Sequence, residues 1–566
     1  MGTSYSYSYS YSGSPGAPTF HHAPRVAEPA WGVHAGPMRV RPFLLVAVVL
    51  SAIGLEVSGA ADYDVLIVHG RVVDGTGNPA VHADVGILDG RVVAVGRLQG
   101  EATTVLDAEG CVVAPGFIDV HTHAENIRRL PEGQSFLRMG VTTLVLGNCG
   151  SAFRDVAASF RELEETTVSP NVATLLGQGT IRGQVMGGSF LRPPTEAELA
   201  EMKSLVREGM KAGAVGLSTG LIYPPGTFSK TEELIELTRE VAPYDGIYVS
   251  HMRDEGEGIF EALDELFRIA EEAGVRAEIS HIKLSGRSNW GQAEKVLAHI
   301  ESARARGLDI TQDMYVYPAS STGISTLIPT EAREGGRFKE RLADPEEKAK
   351  IVAEMKDRLR RRQRTDYDYA MIASYDKDPS LNGLSVLEAT RLRKGTEDLD
   401  AQIELIFEIQ LNGGAGGVFH GMSEEDLQTY LRHPNTMIGA DSSVREYQEG
   451  VPHPRGYGNA ARVLGRYVRE LNLLRLEDAV RRMTSLPART FRLEDRGDIR
   501  AGAWADVVVF DPETVQDRAT FREPHQYATG FRWVLVNGVV VVEQDAHTGR
   551  RPGRVLRSAA LPSRSE

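Results

Sequence analysis

The stretch Pro115-Gly-Phe-Ile-Asp-Val-His121-Thr-His123 is an apolar run that closes on two histidines. Side chains alternate between the two faces of a β-strand, so His121 and His123 are expected to project the same way. Two imidazoles that converge at the end of a strand make half of a metal site. The stretch therefore predicts a strand that delivers metal ligands at its C-terminal end.

Four further apolar runs end in the same way, each on a residue that can bind a metal. The runs 140–149, 246–251, 275–281 and 436–441 end on Cys149, His251, His281 and Asp441. A single strand-end histidine more often makes a hydrogen bond than a metal contact, but independent placements at successive strand ends would seldom coincide. Imidazole, thiolate and carboxylate ligands suit zinc or a similar borderline ion. Asp441 also fits a helix cap or a turn, because two serines follow it.

Apolar strands alternate with amphipathic helical patterns through the middle of the chain. After the strand that ends at His121, strands are predicted at 141–147, 171–177, 214–219, 246–251, 275–281, 308–315 and 436–441. Most of them are separated by predicted helices at 195–212, 230–242, 257–273 and 290–307. Strand and helix repeated about eight times predict an α/β protein with a (β/α)₈ TIM-like barrel, whose mouth would collect the strand-end ligands.

Shorter β-rich segments flank this barrel, which is expected to span 113–495. Strands and tight turns alternate in 62–112 and again in 496–560, so both chain ends are expected to build one small β-sandwich. Extra helices at 345–362 and 397–411 predict a helical insertion, at about 330–430, before the last barrel strand.

The first 61 residues differ in composition from the rest. Residues 3–14 repeat Ser and Tyr without a core pattern, which is low complexity. Arg39 and Arg41 then precede an apolar run at 43–55 and small residues up to Ala61, the order of a signal peptide. The run is shorter than the roughly 20 residues of a spanning helix. Export to the periplasm or the medium is predicted, with no stable membrane insertion after cleavage; an uncleaved membrane anchor is the alternative.

Composition limits the kinds of partner. The formal net charge of −14 over 566 residues argues against nucleic acid, because phosphate binding needs clustered Lys and Arg. The one basic cluster, Arg358 to Arg364, lies in a helical pattern and is interpreted as a solvated face. Two cysteines do not make a disulfide framework, and Cys111 in an apolar strand is interpreted as a packed hydrophobic residue. A small-molecule partner is expected, and the sequence does not indicate an oligomeric state.

Nine short motifs are distributed from about Asp64 to Arg557. They are Gly116-Phe-Ile-Asp-Val-His-Thr-His123, Gly147-Asn-Cys-Gly150, Gly177-Gln-Gly-Thr-Ile-Arg182, Gly216-Leu-Ser-Thr-Gly-Leu-Ile-Tyr223-Pro-Pro, Ser250-His-Met-Arg-Asp-Glu255, Ser280-His-Ile-Lys283, His453-Pro-Arg455-Gly-Tyr-Gly, Met483-Thr-Ser-Leu-Pro-Ala488 and Ala505-Asp-Val-Val-Val-Phe-Asp511-Pro. By these motifs the chain resembles the amidohydrolase superfamily, and within it the N-acyl-D-amino-acid deacylases (D-aminoacylases). Asn-Cys-Gly and His-Pro-Arg are the motifs most specific to that branch.

The resemblance implies a metal-dependent hydrolase of linear amides. It would cleave N-acyl-D-amino acids to a carboxylate and a free D-amino acid, with zinc as cofactor. Many relatives bridge two metals with a carboxylated lysine, whereas the deacylase branch uses a cysteine at the end of strand two. Cys149, His251 and His281 would accordingly hold one tight zinc ion.

A second, weaker metal site and the substrate contacts follow from the same resemblance. His121 and His123 would form that site with Cys149 and Asp441, and Asp441 would act as general base and then general acid. The substrate would be bound by Lys283, Arg455, Tyr223, Tyr315 and Ser321. A purely structural role, such as tying a loop or packing the barrel, is the alternative for each of these five.

Two departures from the family pattern concern the polar support near the carbonyl and the loop after strand eight. Gln178 stands where the deacylase pattern Gly-His-Gly-Thr has a histidine, and Ser442 rather than glycine follows Asp441. A cyclic-amide hydrolase of the dihydroorotase or hydantoinase type is an alternative function, but it would normally carry the bridging lysine. A non-catalytic secreted binding protein is another, and it would be indicated by the loss of a ligand position.

Overall fold

The computed structural model of the protein describes residues 61–558. The predicted low-complexity segment and signal peptide at 1–61 lie outside the described residues, apart from Ala61. Within the described range, no helix combines the length and the apolar character that crossing a bilayer requires.

The strands of the described range belong to a barrel, an insertion and a sheet made from both chain ends. Their bounds are β1 (Tyr63–Val72), β2 (Val81–Leu88), β3 (Arg91–Gly96), β4 (Ala102–Asp107), β5 (Val112–Pro115), β6 (Phe117–Asp119), β7 (Val141–Leu146), β8 (Asn171–Thr174), β9 (Leu176–Gly177), β10 (Gly216–Gly220), β11 (Ile247–His251), β12 (Arg276–Ile279), β13 (Ile310–Met314), β14 (Ser320–Gly323), β15 (Ala370–Ser374), β16 (Gly416–Phe419), β17 (Thr436–Ile438), β18 (Val507–Phe510), β19 (Phe531–Val536), β20 (Val539–Glu543) and β21 (Ala546–His547).

The α-helices mostly follow barrel strands or belong to the insertion. Their bounds are α1 (Gln134–Leu137), α2 (Val156–Thr166), α3 (Gln178–Met186), α4 (Glu196–Lys211), α5 (Thr231–Arg239), α6 (Ile259–Ala273), α7 (Ala293–Ala305), α8 (Phe338–Ala343), α9 (Pro345–Arg361), α10 (Val386–Lys394), α11 (Leu399–Leu411), α12 (Glu424–Arg432), α13 (Arg455–Arg462), α14 (Leu476–Met483) and α15 (Ser485–Thr490). A π-helix, Val463–Glu470, continues α13.

The predicted barrel is confirmed. Parallel pairing runs β6–β7–β8 and β9–β10–β11–β12–β13–β17, and β8 and β9 are two halves of one strand that bends at Leu175. The ends of the series meet, because the amide of Asp441 donates to the carbonyl of His121 at 2.8 Å and the amide of His123 donates to Ser442 at 2.9 Å. His251, His281 and Asp441 therefore end strands five, six and eight, at the C-terminal mouth.

The barrel is held by two apolar layers, as the alternation of strand side chains requires. Ile118, Val145 and Val249 belong to the inner cluster, while the intervening residues pack outward against the helices. Helix α6 shows how these helices form: it buries Leu263 and Phe267, one turn apart, on one face, and ends at a glycine in the left-handed conformation.

An insertion precedes the last barrel strand, as expected, and has an apolar core of its own. Besides α8 to α11 it contains an antiparallel sheet in the order β14–β16–β15, which the sequence analysis did not anticipate. These strands are four or five residues long, too short for an alternating pattern to stand out.

The two chain ends join in one sheet. Its order is β21–β20–β19–β18–β5–β1–β2–β3, with β4 also paired to β1. The join is the antiparallel pair β18–β5, in which Val508 lies opposite Ala114. Because β5 leads directly into β6, this sheet fixes the start of the strand that carries His121 and His123.

Candidate metal centre

The predicted metal ligands meet at the mouth of the barrel around the thiol of Cys149. Its Sγ lies 3.3 Å from Nε2 of His121, and 3.6 Å from both Nδ1 of His251 and Nε2 of His281. Cys149, His251 and His281 form one of three groups, found among residues 61–558, whose ligand atoms all lie within 4.8 Å of one another. The structure thus brings together the three residues expected to hold the tight ion.

Asp441 faces the same space from the last barrel strand. Its Oδ1 lies 3.2 Å from Nε2 of His123 and 3.7 Å from Nε2 of His121. The other two groups of close ligand atoms are His121–His123–Cys149 and His121–His281–Asp441. The three groups overlap and together contain all six predicted ligands.

Three of the ligands have a left-handed backbone, which L-residues other than glycine seldom adopt. The φ angles are 52° at Cys149, 36° at His281 and 47° at Asp441. Such conformations cost roughly 1–3 kcal/mol each and persist where the surrounding structure enforces them, often at functional sites. At each position the strand has just ended, and the left-handed residue turns its side chain toward the centre.

Two carboxylates that the sequence analysis did not assign hold the imidazoles from behind. Oδ2 of Asp313 lies 3.0 Å from Nδ1 of His121, and Oε1 of Glu255 lies 2.9 Å from Nδ1 of His281. A contact of this kind fixes which ring nitrogen faces a metal and makes it a better donor. Asp313 is a charged residue within the buried strand β13, and this was the sequence signal that could have identified it. Glu255 lies in a loop, and its position in the sequence gave no such signal.

Burial controls the protonation of these side chains. It lowers the pKa of His251 and of His281 well below 6.5, so both imidazoles are neutral and able to bind a metal at pH 7. Burial also raises the pKa of the Cys149 thiol well above its usual value, and the charge of Asp441 adds to the rise. A bound cation would reverse that preference, because a coordinating thiol loses its proton.

The charge of Asp441 is kept by its neighbours. Burial alone would raise its pKa, but the positive charge of Arg455 and a hydrogen bond with His123 outweigh burial and hold the pKa well below the usual range. Nη2 of Arg455 lies 2.9 Å from Oδ2 of Asp441. The carboxylate is therefore ionised at neutral pH and able to accept a proton.

The donor set fits zinc. Imidazole and thiolate are the ligands of tetrahedral zinc sites, and a carboxylate at the edge can join a second ion. The nitrogen and sulfur atoms approach one another from separate strands, within 4.8 Å in each group. Hydrogen bonding alone does not account for a buried cysteine surrounded by three imidazoles.

The five predicted substrate-binding residues border two cavities that meet at this centre. One cavity, of about 440 Å³, is lined by Tyr223, Ser321 and Arg455 together with His123, Cys149 and Asp441. The other, of about 410 Å³, is lined by Lys283 and Tyr315 and shares Tyr223, Ser321 and Asp441 with the first. Both volumes suit a small ligand.

Arg455 and Lys283 differ in how many of their hydrogen-bond donors are engaged. The Arg455 guanidinium lies 4.3 Å from the centroid of the Tyr315 ring, and its Nε and Nη1 atoms are buried without a partner in the described structure. Nζ of Lys283 instead lies 2.8 Å from Nδ1 of His281 and also contacts Glu255. Arg455 therefore keeps two donors without a partner, whereas the ammonium group of Lys283 is engaged by His281 and Glu255.

Gln178 does not face the metal ligands but belongs to a buried polar network beside them. Its Nε2 donates to Oγ of Ser229 at 2.8 Å and to Oε1 of Glu233 at 3.2 Å. The same carboxylate accepts from Nε of Arg182 at 3.0 Å, and both members of that ion pair are buried. Gln178 thus supports the start of α3 near the first cavity.

The Arg182–Glu233 pair is expected to stabilise the fold strongly. Arg182→Met leaves the Glu233 carboxylate buried without its cation, so the free energy of unfolding should fall by about 3–5 kcal/mol in denaturant titrations. Arg192→Met is the matched control, because Arg192 pairs with Glu198 in solvent and should change stability much less. Equal losses in both variants would contradict this role.

Comparison with known proteins agrees with the motifs and the geometry. The sequence profile described as "Amidohydrolase family" matches residues 104–542. The chain belongs to the amidohydrolase family. The D-aminoacylase of Alcaligenes xylosoxydans xylosoxydans is 37% identical over 528 residues, which cover 89% of this chain and 99% of that protein.

A solved structure shows that this amidohydrolase is similar to known deacylases in fold as well as in sequence. It is the structure of the N-acyl-D-glutamate deacylase from Bordetella bronchiseptica, complexed with zinc and a phosphonate inhibitor that mimics the tetrahedral intermediate. The two structures match with a TM-score of 0.76 and 35% sequence identity, over 88% of this chain and 99% of that one. The D-hydantoinase of Ralstonia pickettii is more distant, at 23% identity over 86% of this chain and 96% of that protein.

Proposed function

We propose that this amidohydrolase uses zinc to hydrolyse the amide bond of N-acyl-D-amino acids, releasing a carboxylic acid and a free D-amino acid. The observation that carries the proposal is the Cys149–His251–His281 group facing an ionised Asp441. The similar D-aminoacylase and the similar zinc-containing N-acyl-D-glutamate deacylase support the substrate class and the preference for the D configuration.

Each site residue has a proposed part in the reaction. Zinc held by Cys149, His251 and His281 would lower the pKa of a bound water to about 7 and polarise the amide carbonyl. Asp441 takes the proton of the attacking water and later gives it to the departing amine. His123 and Arg455 hold Asp441 in its charged form at 3.2 and 2.9 Å. A second, weaker ion would use His121 and His123 with Cys149 and Asp441.

The substrate is proposed to lie between the two cavities. Its α-carboxylate would pair with the free Nη1 of Arg455. Tyr223, Tyr315 and Ser321 line the adjoining walls and would fix its orientation, and Lys283 would add positive charge next to His281. No role in binding nucleic acid is proposed.

The alternative functions have less support. A cyclic-amide hydrolase normally has a bridging lysine, whereas here Cys149 lies at the corresponding strand end, and the D-hydantoinase likeness is weaker than that to D-aminoacylase. A non-catalytic binding protein would be expected to lack a ligand, but all six positions carry a side chain that can bind a metal.

A hydrolysis screen tests the proposed function. Purified protein with a measured zinc content would be given N-acetyl-D- and N-acetyl-L-amino acids together with dihydroorotate and hydantoin. Release of free D-amino acid, with far slower release of the L form, is expected. Ring opening of the cyclic amides in place of this reaction would reject it.

The role of Arg455 is tested with an uncharged counterpart of the substrate. A charge-assisted contact is worth roughly 1.5–3 kcal/mol, so Arg455→Met should lower kcat/KM for an N-acetyl-D-amino acid about tenfold to hundredfold. The loss should be much smaller for the corresponding amino-acid amide, which lacks the carboxylate. Equal losses on both substrates would mean that Arg455 acts only through Asp441.

We also propose domain limits of 62–112, 113–495 and 496–560. A separate proposal is that the protein is exported through its N-terminal signal peptide. N-terminal sequencing of the mature protein from cell fractions tests export. A mature chain that begins near residue 61 is expected, and a retained N-terminus in the membrane fraction would favour the anchor.

A further inference from the structure

The second cavity extends from the metal centre to the insertion. His251, His281 and Asp441 border it on the barrel side, and Arg333 and Arg362 border it on the insertion side. Arg333 follows β14, and Arg362 lies just past the end of α9. One continuous cavity therefore borders both the metal centre and these arginines.

The basic cluster at the end of α9 is mostly neutralised by acids close to it in the chain. Arg358 pairs with Glu354 at 3.0 Å, and Arg364 pairs with Asp368 at 3.0 Å. Arg361 contacts Glu354 at 3.2 Å. These three arginines border the same cavity, so the cluster is not only a solvated helix face, but each of them already has a carboxylate partner.

Arg333, and Arg362 within the cluster, differ from these three arginines. In the described part of the chain their side-chain partners are hydroxyl groups: Nη1 of Arg333 donates to Oγ of Ser325 at 3.1 Å, and Nη1 of Arg362 donates to the hydroxyl of Tyr369 at 3.3 Å. Nε of Arg333 is buried without a hydrogen-bond partner. Both guanidinium groups therefore keep donors for a further acceptor.

Arg333 also lies where an isolated positive charge is costly. Burial lowers the pKa of its guanidinium, and the positive charge of Arg358 lowers it further. Four carboxylates line the cavity. Glu255 is engaged by Lys283 and His281, and Asp441 by Arg455. The other two, Asp254 and Glu257, form no ion pair with Arg333 or Arg362 in the described part of the chain. A partly buried cation without a carboxylate is stabilised by an anion that enters with the ligand.

We propose that Arg333 and Arg362 bind a second anionic group of the substrate, a carboxylate in addition to the α-carboxylate. This inference rests on the proposed function and names the substrate class within it. The second carboxylate can belong to an acidic amino-acid side chain or to a dicarboxylic acyl group, and the same arginine donors would hold either one.

Two substrate pairs, each a carboxylate and its amide, test the inference and separate the two sources. N-acetyl-D-glutamate is compared with N-acetyl-D-glutamine, and N-succinyl-D-leucine with N-succinamyl-D-leucine, by kcat/KM on the zinc-loaded full chain. Binding of the products D-glutamate, D-glutamine, succinate and succinamate is measured by calorimetry, which needs no turnover.

In one of the pairs the carboxylate is expected to be favoured over its amide about tenfold to hundredfold, in binding and in kcat/KM. Arg333→Met and Arg362→Met should each reduce that preference, and Arg333→Lys should retain part of it. Arg393→Met is the matched control on the insertion, because Arg393 is exposed and pairs with Asp378. It should leave the preference intact.

The outcomes distinguish this inference from the proposed function. In one outcome, N-acetyl-D-leucine is hydrolysed, and in both pairs the carboxylate and the amide are bound and turned over equally. This result would overturn the arginine site and leave the deacylase function standing. Tighter binding of a carboxylate product that depends on Arg333, without hydrolysis of any N-acyl-D-amino acid, would support the site and reject the function.

Discussion

Replacing Cys149 with alanine is expected to remove the tightly bound zinc and to abolish amide hydrolysis. Its sulfur is the atom that the surrounding imidazoles share, at 3.3 Å from His121 and 3.6 Å from His251 and His281. Without the thiolate, the tight site keeps two neutral imidazoles, which is fewer than the three protein ligands of a catalytic zinc site. Zinc content by atomic absorption and turnover of an N-acetyl-D-amino acid on the same sample measure both losses.

The chain offers a matched control in its other cysteine. Cys111 is buried in the core of the sheet made from both chain ends, away from the close ligand groups. Cys111→Ala removes the same sulfur atom and should leave zinc content and turnover near those of the unaltered protein. Full zinc and activity in Cys149→Ala would show that Cys149 is a packed thiol and not a ligand.

The second large effect is expected at Asp441, where catalysis and metal binding should separate. Asp441→Asn keeps the shape of the side chain but removes the group that accepts the proton, so kcat should fall by a factor on the order of 10² to 10⁴. The tight ion should stay, because Cys149, His251 and His281 do not require this carboxylate. Steady-state kinetics and zinc analysis of the purified variant give the two quantities.

Two results would count against the general-base role. Near-normal turnover in Asp441→Asn would mean that another group accepts the proton. Loss of the tight zinc in that variant would mean that Asp441 acts mainly as a ligand. Since Arg455 loses its ion pair in this variant, its unfolding transition should be compared with that of the unaltered protein before the kinetics are interpreted.

The barrel, and the meeting of the six candidate ligands at its mouth, could be predicted because their signals are local. Each ligand ends an apolar run, and the carboxyl ends of parallel strands meet at one mouth, so position along the chain translates directly into position in space. His121 and Asp441 are 320 residues apart in the sequence, yet the strand pattern alone was enough to place them at the same mouth.

The groups behind the ligands could not be predicted in the same way. Asp313 and Glu255 act through contacts with imidazoles on other strands, and nothing near them in the sequence indicates which histidine each one meets. The role proposed for Arg333 could not be predicted for a related reason: a lone arginine in a short 3₁₀ helix resembles a solvated residue until the fold shows that it is buried near Arg358 and bonded to Ser325. The engagement of Lys283 by Glu255 likewise depends on a loop conformation.

The most direct test of the central claim is a zinc titration of the metal-free protein, with hydrolysis of an N-acetyl-D-amino acid measured at each addition. If Cys149, His251 and His281 hold the catalytic ion, activity should be absent at the start and rise in proportion to zinc until about one ion is bound per chain. Hydrolysis by metal-free protein at the rate of the loaded enzyme, or full zinc binding without any hydrolysis of the D substrate, would contradict the account.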